Sequence, residues 1–266
     1  MIGTVIAVTI RKQLNFTDMN DYSNFNNLNE YQNNGYMNAA TAENELALST
    51  FVTKVMQQVY FRMFLGLVVT AIASWLMLQS SSAMMWFVEH SWAFWGLMIV
   101  EIGLVSYLSA RINKMSPTTA AALFFVYAAL NGVVLSPIFL IYTGASIAKT
   151  FFITAGVFGV MSVYGWVTKK DLSKMGSILM MCLLGLIVVS VVNIFLHSTQ
   201  LDWIISFAGV AIFIGLTAWD TQAIKQMAAQ TDYSNVSKVA TMGALELYLD
   251  FINLFLYLLR IFGSRD

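Results

Sequence analysis

The chain has 266 residues, of which 58% are hydrophobic and 11% charged, with two prolines and 14 basic against 14 acidic side chains. Ordinary water-soluble domains carry about 25% charged residues, so this composition excludes a conventional soluble globule. Zero formal net charge suggests neither a nucleic-acid surface nor a strongly acidic substrate, and the single cysteine, Cys182, excludes an intramolecular disulfide.

Residues 1–47 are dominated by asparagine, including Asn15, Asn20, Asn26, Asn27, Asn33 and Asn34, and predict a disordered tail. Its first ten residues are apolar but lack the leading basic region and small-residue cleavage site of a secretory signal. Residues 48–266 form one membrane domain. Apolar blocks at about 62–80, 91–110, 118–141, 148–167, 176–197, 202–222 and 241–261 are each long enough, at 1.5 Å per residue, to cross roughly 30 Å of hydrocarbon. None shows the alternation of a barrel strand, and helices satisfy their own backbone in lipid. The fold class is therefore an all-α integral membrane protein with seven transmembrane helices. Seven crossings put the termini on opposite faces. Arg11, Lys12, Lys54, Arg62, Arg111, Lys114, Lys169, Lys170, Lys174, Lys225 and Lys238 fall on the N-terminal face against Lys149, Arg260 and Arg265 opposite, which predicts a cytoplasmic N-terminus.

Pro137, late in the third span, predicts a kink or helix end near Ser136. Gly156 and Gly159 in the fourth span, with Gly176 and Gly185 in the fifth, read as points of close helix packing. Cys182 reads as a small packed hydrophobe. Trp75, Trp86, Trp92, Trp95, Trp166 and Trp203 fit an interfacial belt, and His90 and His197 lie at span ends, too separated for a metal site. No Ser-His-Asp order, nucleophile elbow or phosphate-cradling glycine loop is present, so soluble-type catalysis has no support and no cofactor is implied.

The informative residues are ionisable groups inside the spans: Glu101 in the second, Asp220 in the sixth, and Glu246 and Asp250 in the seventh. Each would cost about 2.5–3.5 kcal/mol at the centre of a lipid-facing helix, which points to a protein-lined or watered interior. In the seventh span Gly243, Glu246, Asp250, Asn253, Tyr257 and Arg260 recur at steps of three and four and share one face. Such a stripe must face other helices, and a buried central helix is the simplest arrangement. Ser206, Gly209, Thr217 and Asp220 recur similarly on the sixth span and offer the surface on which it packs. Asp220 and Asp250 would then meet and share a proton, a pH-sensitive pair. Counting from span ends, however, leaves them about 10 Å apart in depth. Arg111 is a candidate counter-charge, or simply a headgroup anchor.

The run GALELYLDFINLFLYLLRIFG at 243–263 resembles the signature of the Bax inhibitor-1 family, also called the transmembrane Bax-inhibitor-motif proteins. GLTAWDTQ at 215–222 resembles its sixth-helix aspartate motif, and residues 142–173 resemble its bacterial branch. The resemblance implies seven helices with the last at the centre, and a pH-gated calcium leak in the bacterial inner membrane. Its sensor and transient Ca²⁺ ligands would be Asp220 and Asp250. Arg111 would be the latch, and Glu101, Glu246 and Asn253 would line the ion path. Partners would be the bilayer and calcium ions. A second role implied by the resemblance is interaction with membrane proteins, including an AAA-type protease. An intramembrane aspartyl protease also needs two aspartates on adjacent helices, but its Tyr-Asp and Gly-x-Gly-Asp motifs are not matched around Asp250, which follows Leu247, Tyr248 and Leu249.

Overall fold

A computed structural model describes the backbone of residues 38–264 and the side chains of residues 45–264. The asparagine-rich stretch up to residue 37 lies outside the described residues. Among them the secondary structure is helical, with no strand. Seven helices are long and apolar enough to span a membrane: α1 Asn38–Gln79, α2 Ser91–Arg111, α3 Pro117–Leu135, α4 Gly144–Val167, α5 Ser173–Leu196, α6 Thr199–Ala229 and α7 Val236–Phe262. Short helical pieces at Ser81–Glu89, Ile112–Lys114, Ile138–Ile141 and Tyr233–Asn235 fill the connections.

Local sequence sets the helix ends. The hydroxyls of Ser116, Thr143 and Ser198 accept hydrogen bonds from the backbone N–H groups of Thr119, Ser146 and Leu201, capping α3, α4 and α6. Pro117 sits in the first turn of α3, where its missing N–H costs nothing. The same helix stops at Leu135, and Ser136 and Pro137 turn the chain as expected. At 42 residues α1 is about 63 Å long, twice a bilayer core. It begins well before the span expected at 62–80 and takes in the last ten residues of the expected tail.

The central position of α7 is clear from burial. Every residue of its most apolar 18-residue stretch is inside the protein, against 22–44% in the other six helices. Aromatic contacts mark its sides. Tyr248 sets its ring edge-on to Phe124 and Tyr127 of α3, Phe251 lies between Phe151 and Phe158 of α4, and Tyr257 stacks on Phe213 of α6. The Tyr248 hydroxyl meets that of Thr70 on α1 at 2.7 Å. Outward-facing Phe61, Phe64, Ile99, Phe152 and Phe195 give the bundle the apolar surface that lipid requires.

The glycine expectation needs correction. Gly176 does pack closely, its Cα lying against the Trp219 ring, but Gly156, Gly159 and Gly185 have open space where a side chain would be. Close approach occurs instead at Gly132 against the backbone of Thr70, Gly165 against that of Ala218, and Gly209 against the Tyr257 ring. Cys182 is likewise exposed on the outer side of α5 rather than packed. Spacing alone does not say which face of a helix meets a neighbour.

Candidate functional site

Asp250 is wholly buried in α7, and Asp220 is buried in α6. Which way they point follows from their neighbours. On α6, Gly209, Phe213, Asp220 and Ile224 share one face. Gly209 and Phe213 lie on Tyr257, and Ile224 lies on Gly243. On α7, Gly243, Asp250 and Tyr257, at steps of seven, form the matching face. Both aspartates are thus on the α6–α7 seam. The contacts run antiparallel and set residue 220 level with about residue 246, and residue 250 level with about residue 217. The axial offset between Asp220 and Asp250 is therefore about 5 Å, one helical turn and half the value obtained from span ends.

Glu246, Asn253 and Arg260 form a second file on α7, turned aside from the seam. Asn253 is buried and donates from Nδ2 to the Leu249 carbonyl at 2.8 Å. Glu246 is buried a turn below Asp250. Glu101 is buried on α2, and among the described residues neither of its carboxylate oxygens meets a hydrogen-bond donor. It shares the face of α2 that carries Phe94 and Met98, two residues that line a cleft with Asn193, Asp202 and Arg260. Arg111, by contrast, is exposed at the last turn of α2, away from the buried interior that holds the acids.

Several polar contacts escaped sequence reasoning. The half-buried Arg62 of α1 donates to the Ser237 carbonyl and the Thr241 hydroxyl, both at 2.5 Å, and to the Ser237 hydroxyl at 2.8 Å, clasping the first two turns of α7. On the same face Lys225 donates to the Trp166 carbonyl at 2.8 Å and lies over its ring, and Lys238 donates to the Asn113 carbonyl at 3.0 Å. These cations rest on the C-terminal carbonyls of α4 and of the turn after α2, where the helix dipole favours them. Gln222 accepts from Leu172 N–H and donates to the Lys170 carbonyl, both at 2.9 Å, tying α6 to the α4–α5 connection. In that connection the Asp171 carboxylate, accepting from Ser173, is held below the usual carboxylate range. At the opposite face Asp202 pairs with Arg260 at 3.2 Å and accepts from Asn193 Nδ2 at 2.8 Å. The sequence signal for these contacts was present but unspecific: Arg62 and Lys225 counted only towards topology, and Asp202 lay at a span end.

Among the described residues no group of three or more His, Cys, Asp or Glu converges as a metal site. The α6–α7 seam carries two buried carboxylates, Asp220 and Asp250.

Several bacterial proteins are similar to this chain over most of its length. The inner membrane protein YbhL of Escherichia coli is 49% identical over 213 residues, covering 79% of this chain and 91% of that protein. An uncharacterized protein of Borreliella burgdorferi is 46% identical over 214 residues, 80% of this chain and 92% of its own. One from Deinococcus radiodurans is 41% identical over 216 residues, 81% and 92%. Residues 52–266 match the family described as inhibitor of apoptosis-promoting Bax1, so the seven-helix chain, with its aspartates on the sixth and the buried seventh helix, belongs to the Bax inhibitor-1 family.

Proposed function

We propose that the protein is a pH-sensitive cation leak of the inner membrane, with Ca²⁺ the permeant ion and the N-terminal face in the cytoplasm, gated by protonation at Asp220 and Asp250. The observation that carries this reading is the pair of buried aspartates on one helix–helix seam, one turn apart. Two ionised carboxylates there offer oxygen ligands suited to a hard cation and repel each other when no ion is present. A proton shared by the pair halves its ligand charge and removes the repulsion, so one event changes ion affinity and helix spacing together. Glu246 would extend the path towards the N-terminal face, and Asn253 and Glu101 towards the C-terminal face. A latch by Arg111 requires the last turn of α2 to swing inward from its exposed position.

The test is Ca²⁺ flux in proteoliposomes across a pH series. Wild-type flux should vary with pH, Asp250→Asn should flatten the profile, and Asp220→Asn should displace it. An unchanged profile in Asp250→Asn would sink the mechanism. A second role, docking of membrane proteins such as an AAA-type protease, draws support from the extension of α1 beyond its span, which exposes Leu46 and Leu48. Co-purification that survives Leu46→Glu with Leu48→Glu would remove that support.

A further inference from the structure

At the C-terminal face α2, α5, α6 and α7 surround a cleft of about 480 Å³. Its lining passes from wet to dry. The Asp202 and Arg260 side chains at the rim are 51% and 32% exposed, whereas Met98 and Ile205 on the floor are 5% and 2% exposed. One turn beyond Met98 on the same face of α2 is Glu101, buried and without a hydrogen-bond partner among the described residues. Two turns beyond Arg260 on the same file of α7 is Asn253, whose side-chain oxygen is also buried without a partner among the described residues. The cleft therefore ends over two side-chain groups whose oxygens meet no donor among those residues.

We infer that Asp202 and Arg260, braced by Asn193, form a lock over the outer mouth of the ion path, and that a cation passes between Glu101 and the C-terminal face only when this pair parts. The inference rests on the leak proposed above. The pair joins α6 to α7, the two helices that carry Asp220 and Asp250, so a change of spacing on their seam acts directly on it. Arg260 is also the one cation on a file that otherwise bears Glu246 and Asn253. With Arg260 in place a permeant cation meets a fixed positive charge. With the guanidinium displaced, the same ion meets the carboxylate of Asp202, which accepts it in exchange. Partial exposure suits a lock, because a solvated ion pair is weakly held and screened by salt, whereas a wholly buried pair would rarely open.

The experiment reads access to the floor directly. In lipid nanodiscs, with Cys182→Ser and Met98→Cys, a charged thiol reagent should label the introduced thiol slowly. Arg260→Gln should speed labelling several-fold, Arg260→Lys should leave it slow, and the charge exchange Asp202→Arg with Arg260→Asp should restore the slow rate relative to Arg260→Gln. In proteoliposomes Arg260→Gln should raise Ca²⁺ flux most at the pH where wild type conducts least. Labelling that ignores Arg260→Gln, or that is fast in both the Lys and Gln variants, overturns the lock and leaves the leak untouched. A pH profile of flux that ignores Asp250→Asn overturns the proposed gating, whatever the labelling shows.

Discussion

Gly165 on α4 lies so close to α6 that a Cβ built there would sit 3.0 Å from the Cα and carbonyl carbon of Ala218, and nearer still to its oxygen. Ordinary contact begins at 3.4 Å, and backbone cannot rotate away as a side chain can. Gly165→Ala must therefore push α4 and α6 apart by several tenths of an ångström at a point two residues from Asp220. Overpacking of this kind costs about 2 kcal/mol, which for a chain of this size lowers the melting temperature by roughly 4–8 °C. The assay is thermal unfolding in detergent micelles, with Gly156→Ala and Gly185→Ala as controls that have open space and should melt at or slightly above wild type, because Ala favours a helix over Gly. The gap between Gly165→Ala and its controls is the quantity that matters. Equal melting temperatures for all three variants would refute the close-packed α4–α6 contact.

Arg62→Met removes three hydrogen bonds to Ser237 and Thr241. It should cost about 1–3 kcal/mol and speed amide hydrogen exchange over the first turn of α7, while exchange around Tyr257 stays unchanged. Thr70→Val leaves the Tyr248 hydroxyl and the Ala128 carbonyl, 2.7 and 2.9 Å from the Thr70 oxygen, without that partner. A loss of about 1–3 kcal/mol is expected, smaller when Tyr248→Phe is already present, and strictly additive losses in a double-mutant cycle would contradict the pairing. Because Asp171 titrates below the usual carboxylate range in the folded chain, its bond to Ser173 stabilises the start of α5 above the unfolded value of about 4. That contribution is lost as pH falls through the lowered folded value. Asp171→Asn should flatten this acid limb of the stability curve, and an identical limb in the variant would exclude Asp171 as its source.

The number of spans, the stop at Pro137 and the polar stripe of α7 were legible because each depends on residues near one another in sequence. Period and length carry that information. The facing of Asp220 and Asp250 was only half legible. Periodicity placed each aspartate on a polar face, but the register between helices comes from which residue is small enough to admit which ring, as at Gly209 and Tyr257. A count from span ends missed it by about a helical turn. Arg62, Asn193 and Asp202 were illegible as partners for a related reason. A charge near a span end looks the same whether it anchors to headgroups or clasps another helix 175 residues away, as Arg62 does at Ser237. Gly156 and Gly185 show the converse, small residues in a helix that face no neighbour.

The complete enclosure of α7 bears on how the protein is made. On insertion scales an ionised side chain near a helix centre opposes entry into lipid by about 2.5–3.5 kcal/mol, while each Leu, Ile or Phe favours it by only about 0.3–0.6 kcal/mol, so Glu246 and Asp250 offset much of what the apolar residues of α7 gain. It also leaves the ribosome after the other six. Packing against those six is what takes Glu246 and Asp250 out of lipid, so stable insertion of α7 is expected to be coupled to its docking among them.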